Sequence, residues 1–251
     1  MEILTYGNGE RLLACSSAVA AGCPGDCRII ILPIPTTRDG KTVAGTDVSL
    51  SEVCSRVERG MLVAGYSIPE EMAAEIVSRG GNIYDGSLDE ELILANARLT
   101  AYGTLGWLLT NGSLAPEELA VGLVGYGRIG KELLRLLLFL GYKVRVYSSC
   151  ADTRTTLSEH GIEVRDSRCG IDFSGLDILI NTAPAPLISR KARRGNSELL
   201  ILDLASGKYL EGIEGVVKLP SVPEKYFARG AGRLYAERIL KRLGSGSPEE
   251  V

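Results

Sequence analysis

Apolar residues fall along this chain in two alternating rhythms: short continuous runs, and longer stretches with apolar positions at helical spacing. Ile29-Ile30-Ile31-Leu32-Pro33-Ile34-Pro35 is a continuous run closed by prolines, as a strand buried on both faces would be, and Met61-Leu62-Val63-Ala64-Gly65 repeats it. Between them the pattern predicts only a looser loop and helix region. Pro69 to Arg79 reads as a helix with glutamates in its first turn, stopped by Gly80-Gly81 before a short strand over Asn82-Ile83-Tyr84-Asp85. From Asp89 to Leu109 the positions Leu92, Ala95, Leu99, Tyr102, Leu105 and Leu109 keep helical spacing, long enough to pass from one lobe to another.

The second half is a cleaner series. It predicts strands over Val121–Val124, Lys143–Tyr147, Glu163–Val164, Leu176–Asn181 and Leu199–Leu204, with helices over Ile129–Leu140 and Asp152–His160. Gly230 to Leu243 is a final amphipathic helix that can fold back on the first lobe. The expected fold is α/β, with two Rossmann-like lobes built on doubly wound parallel sheets. Residues 1–98 form a truncated first lobe completed by the helix over 230–244, residues 99–229 a dinucleotide-binding lobe, and 245–251 a polar tail.

Composition narrows the function classes. The 251 residues are 45% hydrophobic and 24% charged, with 28 Lys+Arg against 31 Asp+Glu for a net charge of −3, so no broad basic field invites nucleic acid. The amino terminus lacks a charged region followed by an apolar stretch, and the most apolar run, Leu133 to Leu140, is broken by Arg135, so neither export nor a membrane span is expected. Six thinly spread cysteines then favour reduced thiols and a cytoplasmic protein. Cys23 and Cys27 resemble half a metal site, but no second pair stands at ligand spacing and the single histidine is His160, so no metal is expected.

The chemistry-bearing signal is Gly125-Tyr126-Gly127-Arg128-Ile129-Gly130, which follows a predicted strand and opens a predicted helix. In that context the first glycine permits the tight turn, the second admits a pyrophosphate, and the third lets helix and strand pack closely. About 20 residues on, where an acid would hold the ribose 2′-hydroxyl of NAD, stand Ser148 and Ser149, with Arg154 nearby. That set accepts a 2′-phosphate without repulsion and favours NADP, with NAD as the other possibility. Two later strand ends, Asn181-Thr182-Ala183-Pro184 and Asp203-Leu204-Ala205-Ser206, should face the nicotinamide and supply polar groups to its carboxamide or ribose. His160 precedes Gly161 at the end of a helix far from the reactive ring, so it is not expected to be catalytic, and the catalytic group stays unassigned.

Several segments together carry a family resemblance: Ile31-Leu32-Pro33-Ile34-Pro35-Thr36-Thr37, Asn96 through Thr104, the glycine fingerprint, Asn181–Pro184, Ile201-Leu202-Asp203-Leu204-Ala205-Ser206, and Leu219-Pro220-Ser221-Val222-Pro223 leading to Ala231-Gly232. In these the chain resembles the A subunit of dipicolinate synthase, an endospore enzyme. The resemblance implies NADP-dependent dehydrogenation of a hydroxylated tetrahydrodipicolinate in concert with a flavoprotein-like B subunit, and self-association into a homo-oligomer is expected. For such a small dicarboxylate, Thr36, Thr37, Asn96, Thr100 and Arg229 are the expected clamp, since hydroxyls and a guanidinium hold carboxylate oxygens. Departures from the family pattern fall at Leu99, Tyr102 and Gly230, and the region before Ile29 is short, as though a first strand-and-helix unit were missing. A non-catalytic nucleotide-binding protein of the same fold, or a D-2-hydroxyacid dehydrogenase, are the alternatives; the latter needs a histidine with a carboxylate partner.

Overall fold

The structure is a computed structural model that describes residues 1–23, 25, 27–185, 198–205, 207, 210 and 213–244. It divides into two compact units, Met1–Asn96 together with the chain from Pro223 onward, and Ala97–Val222.

In the first unit, β1 (Glu2–Thr5), β2 (Arg28–Ile31), β3 (Leu62–Gly65) and β4 (Asn82–Asp85) form a parallel four-stranded sheet in sequence order. The continuous apolar runs are explained by cover on both faces. Ile29, Ile31, Leu62 and Ala64 pack with α1 (Glu10–Gly22) and with Tyr235, Ala236 and Ile239, whereas Ile30, Leu32, Met61 and Val63 pack with α2 (Leu50–Ser55) and α3 (Glu70–Ser78). Helix α3 starts with Glu70 and Glu71 beside its positive end, and Gly80 at φ +77 ends it.

The stretch before Ile29, expected to lack a strand-and-helix unit, holds one, β1 and α1. Because β1, β2, β3 and β4 step across the sheet in one direction while α1 lies on the face opposite α2 and α3, the β1–α1–β2 crossover has the opposite hand to the two that follow. Cys23 and Cys27, expected as free thiols, are joined as a disulfide where the chain leaves α1, their Cα atoms 6.5 Å apart. Cys15 and Cys54 are buried free thiols, and Cys150 and Cys169 exposed ones.

Helix α4 (Glu90–Asn111) leads into the second unit, where β5 (Ala120–Val124), β6 (Lys143–Ser148), β7 (Glu163–Asp166), β8 (Ile178–Asn181), β9 (Leu200–Asp203) and β10 (Val216–Lys218) form a parallel sheet ordered β10-β9-β8-β5-β6-β7. That order reverses at β5, which puts the switch point, where sheets of this kind bind ligands, at the carboxyl ends of β5 and β8. Helix α5 (Arg128–Phe139) buries Leu133, Leu134 and Leu137 against Val121, Leu123 and Val146, and α6 (Ala151–Glu159) adds Leu157 to the same core. The final helix, α7 (Val222–Gly244), is longer than its apolar pattern predicts and is kinked at Phe227, which leaves helical geometry at φ −138 and ψ 35. Among the described residues, no helix is long and apolar enough to cross a membrane.

Candidate functional site

The glycine turn between β5 and α5 separates what the fold requires from what a ligand would require. Gly125 sits at φ +94, and a Cβ there would lie 2.6 Å from Thr182 Oγ1; one on Gly130 would overlap the Gly125 carbonyl oxygen. Both are demanded by the protein itself. Gly127 is not: at φ −81 it adopts a conformation open to any residue, and a Cβ would meet nothing within 4 Å. The space over the first turn of α5 is therefore kept clear by the missing side chain alone.

Charge at that turn is equally distinctive. Helices α1, α2, α3, α4, α6 and α7 each carry Asp or Glu in the first turn, but α5 carries none. Gly127 caps it without a side-chain acceptor, and the turn bears Arg128 and Lys131, the latter 5.7 Å over the Tyr126 ring. Ile129 and Tyr126 pack against the core below. An uncapped helix start with basic neighbours and no acid suits a phosphate. The residues present fit the pyrophosphate of a dinucleotide.

At the end of β6, Ser148 is buried and its hydroxyl accepts from Cys150 N at 3.3 Å, while Ser149 is exposed. Arg154 reaches back from α6, donating through Nη1 to the Ser148 carbonyl at 3.0 Å and pairing through Nη2 with Asp166 Oδ2 at 3.1 Å. Asp166 ends β7 directly across from Ser148 and also takes Arg168 at 2.6 Å. Hydrogen bonds from Arg168, with the charge of Arg154, hold its carboxyl well below the usual range. Sequence reading missed Asp166, because the strand was expected to stop at Val164 and the acid stands on the neighbouring strand.

The later strand ends spend their polar groups on one another. Asn181, 1% exposed, donates through Nδ2 to Asp203 Oδ1 at 2.9 Å and accepts from Ala183 N, while Asp203 Oδ1 also accepts from Ala205 N. Thr182 donates to the Val124 carbonyl at 2.9 Å. These side chains, expected to reach a cofactor, fix the ends of β5, β8 and β9 relative to each other. Pro184 follows in the turn after β8, and Ser206 lies outside the described residues. His160 caps the end of α6 with Nδ1 2.7 Å from the Thr156 carbonyl.

In the first unit, Thr36 is fully buried and its hydroxyl accepts from Tyr66 N at 2.8 Å, so it anchors the turn after β3 and offers no surface to a carboxylate. Thr37 donates to Asp39 in the loop after β2. Asn96 and Arg229 converge on the first turn of α1: Asn96 accepts from Arg11 Nη2 at 2.8 Å, and Arg229 pairs with Glu10 at 2.8 Å. Arg11 was not foreseen; it is 8% exposed, its Nε is buried without a partner, and desolvation lowers its pKa. An arginine preceded by glutamate at a helix start carries no sequence signal of burial. In the second unit, Thr100 is buried on α4, and its carbonyl accepts from Thr104. Among the described residues no cluster of three or more metal-ligating side chains occurs.

Known structures with this fold include the dipicolinate synthase A subunit from Bacillus halodurans, at TM-score 0.78 and 18% identity over 99% of this chain and 98% of that one. The dipicolinate synthase A chain from Bacillus subtilis is similar at TM-score 0.78 and 19% identity, covering 97% and 96% of the two chains. Salmonella D-lactate dehydrogenase is similar at TM-score 0.59 and 13% identity, over 100% and 98%. Among curated proteins, the cytokine-like nuclear factor N-PAC of Drosophila pseudoobscura pseudoobscura is 29% identical over 104 residues, 41% of this chain but only 17% of that protein. No family model matches.

Proposed function

We propose that this protein is a nicotinamide-dependent oxidoreductase that takes NADP and dehydrogenates a hydroxylated tetrahydrodipicolinate, working with a flavoprotein-like partner protein. The observation that carries the cofactor assignment is Gly127, a glycine that neither backbone nor packing needs, at the start of a helix whose first turn lacks an acid. Gly125 to Gly130 would hold the pyrophosphate, and Ser149 and Arg154 the 2′ end of the adenosine ribose. When bound, nicotinamide supplies the hydride acceptor. The full-length likeness to two dipicolinate synthase A structures supports the substrate class, together with the motifs around Asn96 and Asp203.

The chemistry asks little acid or base work of this chain. Loss of water, then of a hydride and a proton, turns the hydroxylated ring into an aromatic pyridine dicarboxylate, so its residues need chiefly to orient the ring and hold two carboxylates. Arg229 and Asn96, gathered at the start of α1, together with Thr37 of the same unit, are the proposed holders. Asn181, Thr182 and Asp203 act as positioning residues by locking the strand ends.

Titration of the purified protein with NADP and NAD, with and without dipicolinate, tests the cofactor half. Mixing it with a B subunit, NADP and the hydroxylated substrate should then yield NADPH and the ultraviolet absorbance of dipicolinate. NADP binding without NADPH formation would replace the enzyme by a nucleotide-binding protein of the same fold.

A further inference from the structure

The 2′ end of the proposed dinucleotide site holds two guanidiniums gathered on one carboxylate. Arg154 and Arg168 both converge on Asp166 Oδ2, at 3.1 and 2.6 Å, and Arg154 is further tied to the Ser148 carbonyl. Asp166 is placed by strand register, opposite Ser148, and it caps the turn over Ser167–Cys169 by accepting from Arg168 N at 2.9 Å. The carboxylate is thus fixed at the tip of the strand beside the one that would carry the ribose.

We infer that Asp166 sets the choice between NAD and NADP, acting as a built-in competitor that occupies the two guanidiniums a 2′-phosphate would otherwise claim. This rests on the dinucleotide reading above. A phosphate arriving at Ser149 carries the same charge sign as Asp166 and must draw Arg154 and Arg168 away from it, whereas an unphosphorylated ribose needs neither displacement. The preference for NADP is therefore held below what two arginines alone would give.

Asp166→Asn tests this with little change of shape, because the amide oxygen can still accept from Arg168 N. Calorimetric titration should show NADP binding tighter by on the order of tenfold, with NAD affinity within about twofold of the unchanged protein. In the Asp166→Asn background, a further Arg168→Gln change should cost more NADP affinity than the same change in the original chain, since only there is that guanidinium released. Melting temperatures of all variants report folding separately. An unchanged ratio of NADP to NAD affinity in a folded Asp166→Asn protein, or a shift toward NAD, overturns the inference while leaving the dinucleotide site intact. Binding of neither cofactor to any of the proteins overturns both.

Discussion

Three glycines between Val124 and Lys131 do three different jobs, and only their surroundings tell them apart. A Cβ on Gly125 must coexist with φ +94 and with Thr182 Oγ1 at 2.6 Å, so Gly125→Ala should cost about 2–4 kcal/mol of stability, read from urea unfolding. Gly127→Val meets open space at φ −81 and should cost less than about 1 kcal/mol, yet it fills the room a pyrophosphate needs and should abolish dinucleotide binding. Retained NADP affinity in a folded Gly127→Val protein would remove the site. The serines at 148 and 149 divide similarly: the buried Ser148 hydroxyl serves Cys150 N, and only exposed Ser149 is open to a ligand.

Among the elements, α7 depends most on contacts distant in sequence. It joins the first unit through Gly232, where a Cβ would overlap the Arg11 carbonyl oxygen and lie 2.8 Å from Ala14 Cβ, so the two helix backbones touch. Gly232→Ala gains helix propensity of about 1 kcal/mol but must part α7 from α1, and the net should be a loss of about 1–2 kcal/mol, with more rapid exchange of α7 amides as the readout. Arg238 ties α7 to the start of α4 through Asp89 Oδ2 at 2.7 Å, with Tyr84 donating to the same oxygen at 2.8 Å. Burial pushes the Asp89 carboxyl up, but hydrogen bonds from Arg238 and Tyr84 outweigh it and leave it below its ordinary value. A depressed carboxyl stabilises the fold above its unfolded value near pH 4 and loses that contribution as pH falls through the folded value. Asp89→Asn should therefore lower stability at pH 7 by about 1–3 kcal/mol and flatten the acid loss below about pH 4. Equal acid sensitivity of the two proteins would assign the loss to other carboxylates.

Across the whole molecule, each unit has its own buried clusters, one pair built on β1 to β4 and the other on β5 to β10. Both units are parallel α/β sheets, but only the second reverses its strand order beside a glycine turn that leaves a helix start open. Under the proposed function, NADP at a hundred times its Kd should stabilise the protein by about 2.7 kcal/mol. Hydrogen-exchange protection should then gather at Gly125–Lys131 and Ser148–Arg154 and leave the turn between β1 and α1 unchanged. Protection centred on Gly7–Glu10 instead would move the nucleotide to the first unit.

The sequence by itself determined the local and periodic features: the continuous runs at Ile29–Leu32 and Met61–Gly65 read as doubly covered strands, and Gly125-x-Gly127-x-x-Gly130 between a strand and a helix read as a turn of one kind. Those features follow from side-chain period and backbone freedom within a few residues. What only the tertiary structure decided depends on neighbours far apart in the chain. The opposite hand of the first crossover follows from which face α1 covers, which its own residues do not specify. Asn181, Thr182 and Asp203 read from the sequence as ligand groups, and only the pairing of their strands shows that each also satisfies a backbone or side-chain partner within the protein. Asp166 stands across from Ser148 because strand register sets it there, and Arg11 is held because Asn96, 85 positions away, receives its guanidinium. A buried polar group must find its partner wherever the fold brings one, and that partner is not written beside it in the chain.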